Sequence, residues 1–169
     1  GVYLQDRWRV VEPLLLSFGA RYDAYDLDQV TYRSGIDSEG VSFNAGATLD
    51  VLPGLSLNAG YAEAFRGKEI GDAFTLEKRP GRVSLAPGLK PERVENIEGG
   101  VKYDRDGITA SAVYYRTKIR NVVLDQLGAV RTPGTIQDAV FYENVGNFKA
   151  EGFELRAGYR TGPFSIDGY

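Results

Sequence analysis

The chain has 169 residues, a formal charge of −3 and no Cys, His or Met. Without Cys there is no disulfide framework, thiolate nucleophile or Cys-based zinc site, and without His no Ser-His-Asp triad or imidazole-ligated metal or haem within this segment. A pI near 5.1 also leaves no broad basic footprint for nucleic acid.

The length suits one ordinary domain. The missing initiator Met and the strand-like opening point to a mature or excised segment, with any signal peptide outside it. Mean hydropathy is −0.28, and no stretch approaches the ~18–20 apolar residues of a membrane helix. A barrel strand is apolar on one face only, so this value is compatible with a membrane. Whether the apolar residues alternate is decisive.

In chain order, residues 2–10 alternate weakly. Residues 14–25 set Leu14, Leu16, Phe18, Ala20, Tyr22 and Ala24 against Leu15, Ser17, Gly19, Arg21, Asp23 and Tyr25. Residues 41–51 set Val41, Phe43, Ala45, Ala47, Leu49 and Val51 against Ser42, Asn44, Gly46, Thr48 and Asp50. Residues 55–61 repeat the pattern, as do 95–103, 108–118 and 153–160 more or less strongly, and 164–169 open a further strand. Period two is a strand period, and it gives about eight strands.

Gly, Pro and Asp mark tight turns at 11–13, 52–54, 104–107 and 161–163, whereas long connections fall at 26–40, 66–91 and 121–140. Long strands joined alternately by short turns and long loops predict an all-β, antiparallel transmembrane β-barrel, with short periplasmic turns and long extracellular loops. Trp8, Tyr22, Tyr25, Tyr61, Tyr103, Tyr114 and Tyr115 fall toward strand ends, where an interfacial aromatic girdle would sit. A soluble sandwich also alternates, but its strands average ~5–6 residues.

Tyr61-Ala-Glu-Ala-Phe-Arg66 ends a strand, and the long loop after it closes with Leu89-Lys-Pro-Glu92 and Glu95-Asn96-Ile97-Glu98-Gly99. With Tyr3-Leu-Gln-Asp-Arg-Trp8, Gly19-Ala-Arg-Tyr-Asp23, Tyr114-Tyr-Arg-Thr-Lys-Ile-Arg-Asn-Val122 and Asn144-Val-Gly-Asn-Phe-Lys-Ala-Glu-Gly-Phe-Glu154, this series resembles the barrel of the TonB-dependent outer-membrane receptors. The motif positions are Phe65, Arg66, Leu89, Pro91, Glu92, Asn96, Glu98, Asn144, Gly146, Gly152 and Glu154.

The resemblance implies a barrel of about 22 strands preceded by a plug, and residues 1–169 would be an interior part of that C-terminal barrel domain, about eight of its strands. It implies the outer membrane of a Gram-negative bacterium, uptake of a ferric siderophore or related scarce nutrient, and no covalent catalysis. The implied partners are TonB and the plug domain of the same polypeptide, both through segments outside this chain, the ligand, and outer-membrane lipid with lipopolysaccharide. The alternatives are a complete eight-strand barrel serving as adhesin or structural protein, in which the last strand pairs with residues 2–10, and a soluble carbohydrate-binding β-domain.

Arg66, Lys78, Arg79 and Arg82 in the longest loop are the ligand-binding candidates, since cations there would attract an anionic chelate. Lys118, Arg120 and Arg131 mark the third long connection with less focus. Asp23, Asp26 and Asp28 offer carboxylates for calcium but lack the glycine and terminal glutamate of a loop site. Asp23, Glu63 and Glu98 lie on strands and are expected to face the lumen, as are Asn96, Lys102, Glu154, Arg156 and Arg160. No cofactor, resident metal or enzymatic activity is expected. The resemblance implies a further point: its haem-uptake branch commonly places a His between the F-R and P-E elements, and the lack of one here argues against haem.

Overall fold

The computed structural model describes residues 1–29, 34–68 and 83–169. Among them are nine strands and no helix. They are β1 (Val2–Val11), β2 (Leu14–Gln29), β3 (Ser34–Leu52), β4 (Leu55–Gly67), β5 (Val83–Leu85), β6 (Glu92–Arg105), β7 (Ile108–Thr132), β8 (Thr135–Thr161) and β9 (Phe164–Gly168). Apart from β5, each strand pairs antiparallel with its sequence neighbours, β4 passing directly to β6.

The turns at 12–13, 53–54, 106–107 and 162–163 fall where Gly, Pro and Asp announced them. Asp106 (φ 52°) and Gly107 (φ 79°) make a two-residue turn with both φ positive, the geometry that matches strand twist. Here glycine is required twice over, because a Cβ on Gly107 would lie 2.2 Å from the Arg160 carbonyl oxygen.

Two expected long connections are largely strand. β2 continues to Gln29 and β3 begins at Ser34, with Asp26 opposite Asp37 and Asp28 opposite Gly35. Residues 121–140 are paired backbone through Thr132 and from Thr135, closing at Pro133–Gly134. Loss of apolar alternation misled the sequence reading there: a strand rising beyond an apolar band into water keeps its ladder without keeping its pattern.

Register follows the alternation, so opposed residues across the sheet share a face. One such row runs Leu14, Leu49, Leu57, Val101, Ala112, Leu155. The next row on the other face runs Leu15, Thr48, Asn58, Gly100, Val113, Glu154. The apolar face is open: Phe153 is 75% and Leu155 65% exposed, and Phe18, Val41, Phe43, Leu57 and Ile166 are exposed beside them. An exposed apolar face of this extent requires something apolar against it.

Among the described residues only Leu89 and Tyr142 are buried hydrophobics. The sheet therefore has no core of its own, and its one dense point lies at the return of the long loop. β1 pairs with β2 and β9 with β8, but β1 and β9 do not pair with each other. The closed sheet that a complete eight-strand barrel would need is thus not formed among the described residues.

Candidate functional site at the root of the long loop

Three separated motifs meet at one place. β4 ends with Phe65-Arg66-Gly67, the chain returns through Leu89-Lys90-Pro91-Glu92, and Asn144-Val-Gly146 lies on β8 opposite a bulge in β7. The β7–β8 register slips between Ile119 and Val122 and again between Val122 and Val123. Asn121 (φ 55°) and Gly146 (φ 136°) carry the backbone distortion. Asn tolerates the left-handed region better than most residues, while φ near 136° is glycine territory.

The bulge leaves backbone groups unpaired, and side chains complete them. The Lys90 amide donates to Asn144 Oδ1 at 2.8 Å, and Asn144 Nδ2 donates back to the Lys90 carbonyl at 2.9 Å. The same Nδ2 donates to the Asn121 carbonyl at 2.7 Å, so both amide hydrogens of Asn144 are used. Asn121 Nδ2 donates to the Pro91 carbonyl at 3.3 Å, and the Asn121 amide to Asn147 Oδ1 at 3.3 Å. Two asparagines thereby stand in for a strand that the loop root cannot supply.

Glu92 adds charge to this root. Its carboxylate is buried, accepts the Val123 amide at 2.6 Å through Oε1, and lies 2.9 Å from Arg66 Nη1 through Oε2. The Oε2 contact is charge pairing outside hydrogen-bond alignment. A buried carboxylate requires such a partner. Pro91 fixes φ just before Glu92 and has no amide to leave orphaned.

The chain also straps itself down ahead of this point. β5 lies parallel to β8, Val83 opposite Val140 through Leu85 opposite Tyr142. The Ala86 amide continues the ladder to the Tyr142 carbonyl at 2.9 Å. At the other side of the loop, Phe65 packs over Gly40, where a Cβ would meet the ring at 2.3 Å. The Phe65 amide donates to Ser42 Oγ at 2.9 Å.

Of the expected site residues, Phe65, Arg66, Leu89, Pro91, Glu92, Asn144 and Gly146 come together here. Asn96, Glu98, Gly152 and Glu154 lie on the polar face: Thr117 Oγ1 donates to Asn96 Oδ1 at 2.8 Å, and Gly152 faces Tyr115. Lys78, Arg79 and Arg82 lie outside the described residues. Asn121 belongs to the Tyr114–Val122 motif, and its place at the end of a run of alternation is the one sequence signal of its role.

Some expectations change. Glu63 does not share the polar face: it stands opposite Phe43 and Glu95 and pairs with Arg93 Nη1 at 2.7 Å. Tyr25 and Tyr115 fall on the polar parity, leaving Tyr22, Tyr61 and Tyr114 on the apolar face near the loops and Trp8, Tyr103 and Tyr159 near the turns. Asp23 and Asp26 are on opposite faces of β2, so they cannot share one ion, and no group of three potential metal ligands occurs among the described residues. Asp23 instead pairs with Arg21 at 2.8 Å.

On the apolar face, each strand passes from apolar to charged at a definite residue toward the long loops. These residues are Asp26, Glu39, Glu63, Glu95, Arg116 and Glu151 on β2, β3, β4, β6, β7 and β8. They do not all share one row. Arg116 and Glu151 are on the row of Phe18, eight residues before Asp26 on β2. Eight residues at ~3.3 Å cover about 26 Å along the strand, and five steps between strands at ~4.8 Å cover about 24 Å across it. A level boundary then cuts the strands at a tilt of about 48°. β1 departs from the pattern, with Asp6 between Leu4 and Trp8 on this face.

Comparison with known proteins agrees with this geometry. The family model described as "TonB dependent receptor-like, beta-barrel" matches residues 1–169. The heme/hemopexin utilization protein C of Haemophilus influenzae is 28% identical, over 89% of this chain and 24% of its own length. A probable TonB-dependent siderophore receptor, PiuA, of Acinetobacter baumannii is 25% identical, over 91% of this chain and 20% of its own. The FrpB iron transporter of Neisseria meningitidis superposes with a TM-score of 0.78 at 24% identity, covering 98% of this chain and 24% of that one. The chain thus spans about a quarter or less of the relatives it matches. It belongs to the TonB-dependent receptor β-barrel family.

Proposed function

We propose that this chain is a barrel segment of an outer-membrane importer in a Gram-negative bacterium, taking up a ferric siderophore or a related iron chelate. Residues 1–169 are part of the C-terminal barrel domain, with the plug and the TonB-engaging segment elsewhere in the same polypeptide. The observation that carries the reading is the slanted boundary between apolar and charged residues. Its tilt of about 48° is close to the ~35–45° at which strands of membrane barrels cross the bilayer. A soluble sheet has no flat apolar slab to cut its strands at such an angle.

Orientation follows from length. The tight turns lie on the periplasmic side and the long loop on the outer side, where the barrel contributes scaffold and ligand contacts. Capture by outer loops and plug precedes release driven through TonB. Lys78, Arg79 and Arg82 are proposed to attract an anionic chelate, and Arg66 to hold the loop root through Glu92. The names of the relatives support an iron-containing cargo. The absence of His in this segment favours a siderophore over axial ligation of haem from these loops.

Binding of ferric siderophores, cobalamin and haem to the full-length receptor tests the assignment. A siderophore bound in the micromolar range or tighter, weakened several-fold by Lys78→Ala, Arg79→Ala or Arg82→Ala, supports it. Binding of haem alone, or unchanged affinity in all three variants, contradicts the ligand or the loop assignment respectively.

A further inference from the structure

We infer that Arg7 and Arg9 form an anion subsite on the inner wall of β1, on the turn side of the lumen, which favours passage of solutes of net negative charge. The inference rests on the barrel reading above and adds to it the charge class selected inside the lumen.

Register puts both side chains on the polar face. Arg7 stands opposite Ser17 and Arg9 opposite Leu15, whereas Asp6 and Trp8 stand opposite Phe18 and Leu16. Asp6 is therefore on the other face, and its carboxylate accepts the Arg7 amide at 2.8 Å. Two positions apart on one strand, Arg7 and Arg9 are about 7 Å apart along it. Their cross-strand partners, a small hydroxyl and an aliphatic chain, leave both charges uncovered, and both arginines are exposed.

Elsewhere on this face the cations are neutralised. Arg21 pairs with Asp23 at 2.8 Å, Lys102 with Asp104 at 3.4 Å and Arg156 with Glu154 at 3.5 Å. Arg9 Nη1 instead donates to the Glu12 carbonyl at 2.8 Å, a neutral acceptor. Neither Arg7 nor Arg9 forms an ion pair among the described residues. The nearest inward carboxylate on a strand, Asp50, is two strands over and one row nearer the turns, about 12 Å away. Glu98 shares the row of Arg7 but lies four strands off, about 19 Å away. Both distances exceed the screening length of ~8 Å at physiological salt. Between them Gly46, Thr48, Asn58 and Gly60 add no charge. The two arginines thus stand on a stretch of wall that supplies no counter-charge.

Guanidinium groups hold carboxylate, phosphate and similar oxyanions through paired N–H donors, and they stay charged at any working pH. In a water-filled passage with a low-dielectric wall, uncompensated charge of one sign concentrates solutes of the opposite sign and repels its own. A recess lined by Tyr3, Gln5, Gly19, Arg21, Ser42 and Asn44 adjoins the pair on the loop side, so a solute can reach Arg7 along the wall. The Glu12–Pro13 turn lies just beyond Arg9, which places the subsite near the periplasmic end of the lumen.

Charged thiol reagents measure this field. A full-length receptor whose only reactive cysteine is Gln5→Cys, one row from Arg7, is labelled with anionic sulfonatoethyl and cationic trimethylammonium-ethyl methanethiosulfonates. Relative to a free thiol in solution, the rates should favour the anionic reagent at least about fivefold. Arg7→Gln/Arg9→Gln should bring the ratio back to within about twofold of the free thiol. Arg7→Lys/Arg9→Lys should keep the preference, and Asn58→Cys on the uncharged wall should show none. Absence of a preference at Gln5→Cys, which carboxylates on the plug or a neighbouring strand would produce, overturns the subsite. So does a preference untouched by Arg7→Gln/Arg9→Gln, lost in the lysine variant or equal at Asn58→Cys, or a Gln5→Cys thiol closed to both reagents. Leu4→Cys, on the lipid-facing parity, separates this from failure of the barrel reading. Silence at Leu4→Cys beside labelling without preference at Gln5→Cys rejects only the subsite, whereas equal labelling of the two rejects both.

Discussion

Removing the Asn144 amide should loosen the loop root without disturbing the sheet below it. Asn144 makes three hydrogen bonds, from the Lys90 amide and to the carbonyls of Lys90 and Asn121. At ~0.5–1.5 kcal/mol net each, Asn144→Ala should lower the local opening free energy by about 2–4 kcal/mol. That is roughly a 30- to 700-fold faster exchange of the Lys90 amide hydrogen. Hydrogen exchange of the full-length receptor, followed in peptides covering the loop root, β7 and β8, reads this directly. Amides near the turns, such as those of 108–114, should keep their protection. Asn144→Asp keeps an acceptor for the Lys90 amide but cannot donate, so its effect should be intermediate. Unchanged exchange at Lys90 in Asn144→Ala, or equal loosening throughout β7 and β8, would refute the view that this side chain ties the loop to the sheet.

Arg66→Ala leaves Glu92 buried without its cation and should cost about 1–3 kcal/mol, reduced from the usual range because Arg66 is half exposed; combining it with Glu92→Gln should recover part of the loss in thermal unfolding. Gly146→Ala has nothing within 4 Å of the new Cβ, so any cost reports backbone strain alone, about 1–3 kcal/mol at φ 136°. An unaltered melting temperature would show that the bulge can relax. Leu155→Arg, in the middle of the apolar face, should cost about 2–4 kcal/mol in folding into lipid vesicles, while Glu154→Arg on the adjacent polar side should be nearly neutral. Equal costs would mean the two faces are not differently solvated.

The fold was legible where the apolar band lies. Residues 41–51 and 55–61 alternate so strictly that strand and face followed together, and Gly and Pro located the turns. The upper strands were not legible, because beyond the band both faces meet water and alternation carries no energetic penalty. Residues 121–140 therefore read as loop although β7 and β8 pair from Val122 to the turn at 133–134 and back. The motifs were legible as a series, but their convergence depends on a bulge and a positive φ at Asn121, which the sequence does not announce. Glu63 was misassigned because a carboxylate on an apolar parity reads as an error of phase. Its cation, Arg93, is thirty residues away and becomes its neighbour only through the β4–β6 pairing.

The central claim is that one parity of these strands faces lipid and the other does not. Single nitroxide labels at each position from 153 to 159 in the full-length receptor, reconstituted in a bilayer, test it most directly. The account predicts high oxygen accessibility at 153, 155, 157 and 159, low accessibility at 154, 156 and 158, and the reverse order for a water-soluble nickel chelate. A flat profile, or oxygen maxima at 154, 156 and 158, would contradict it.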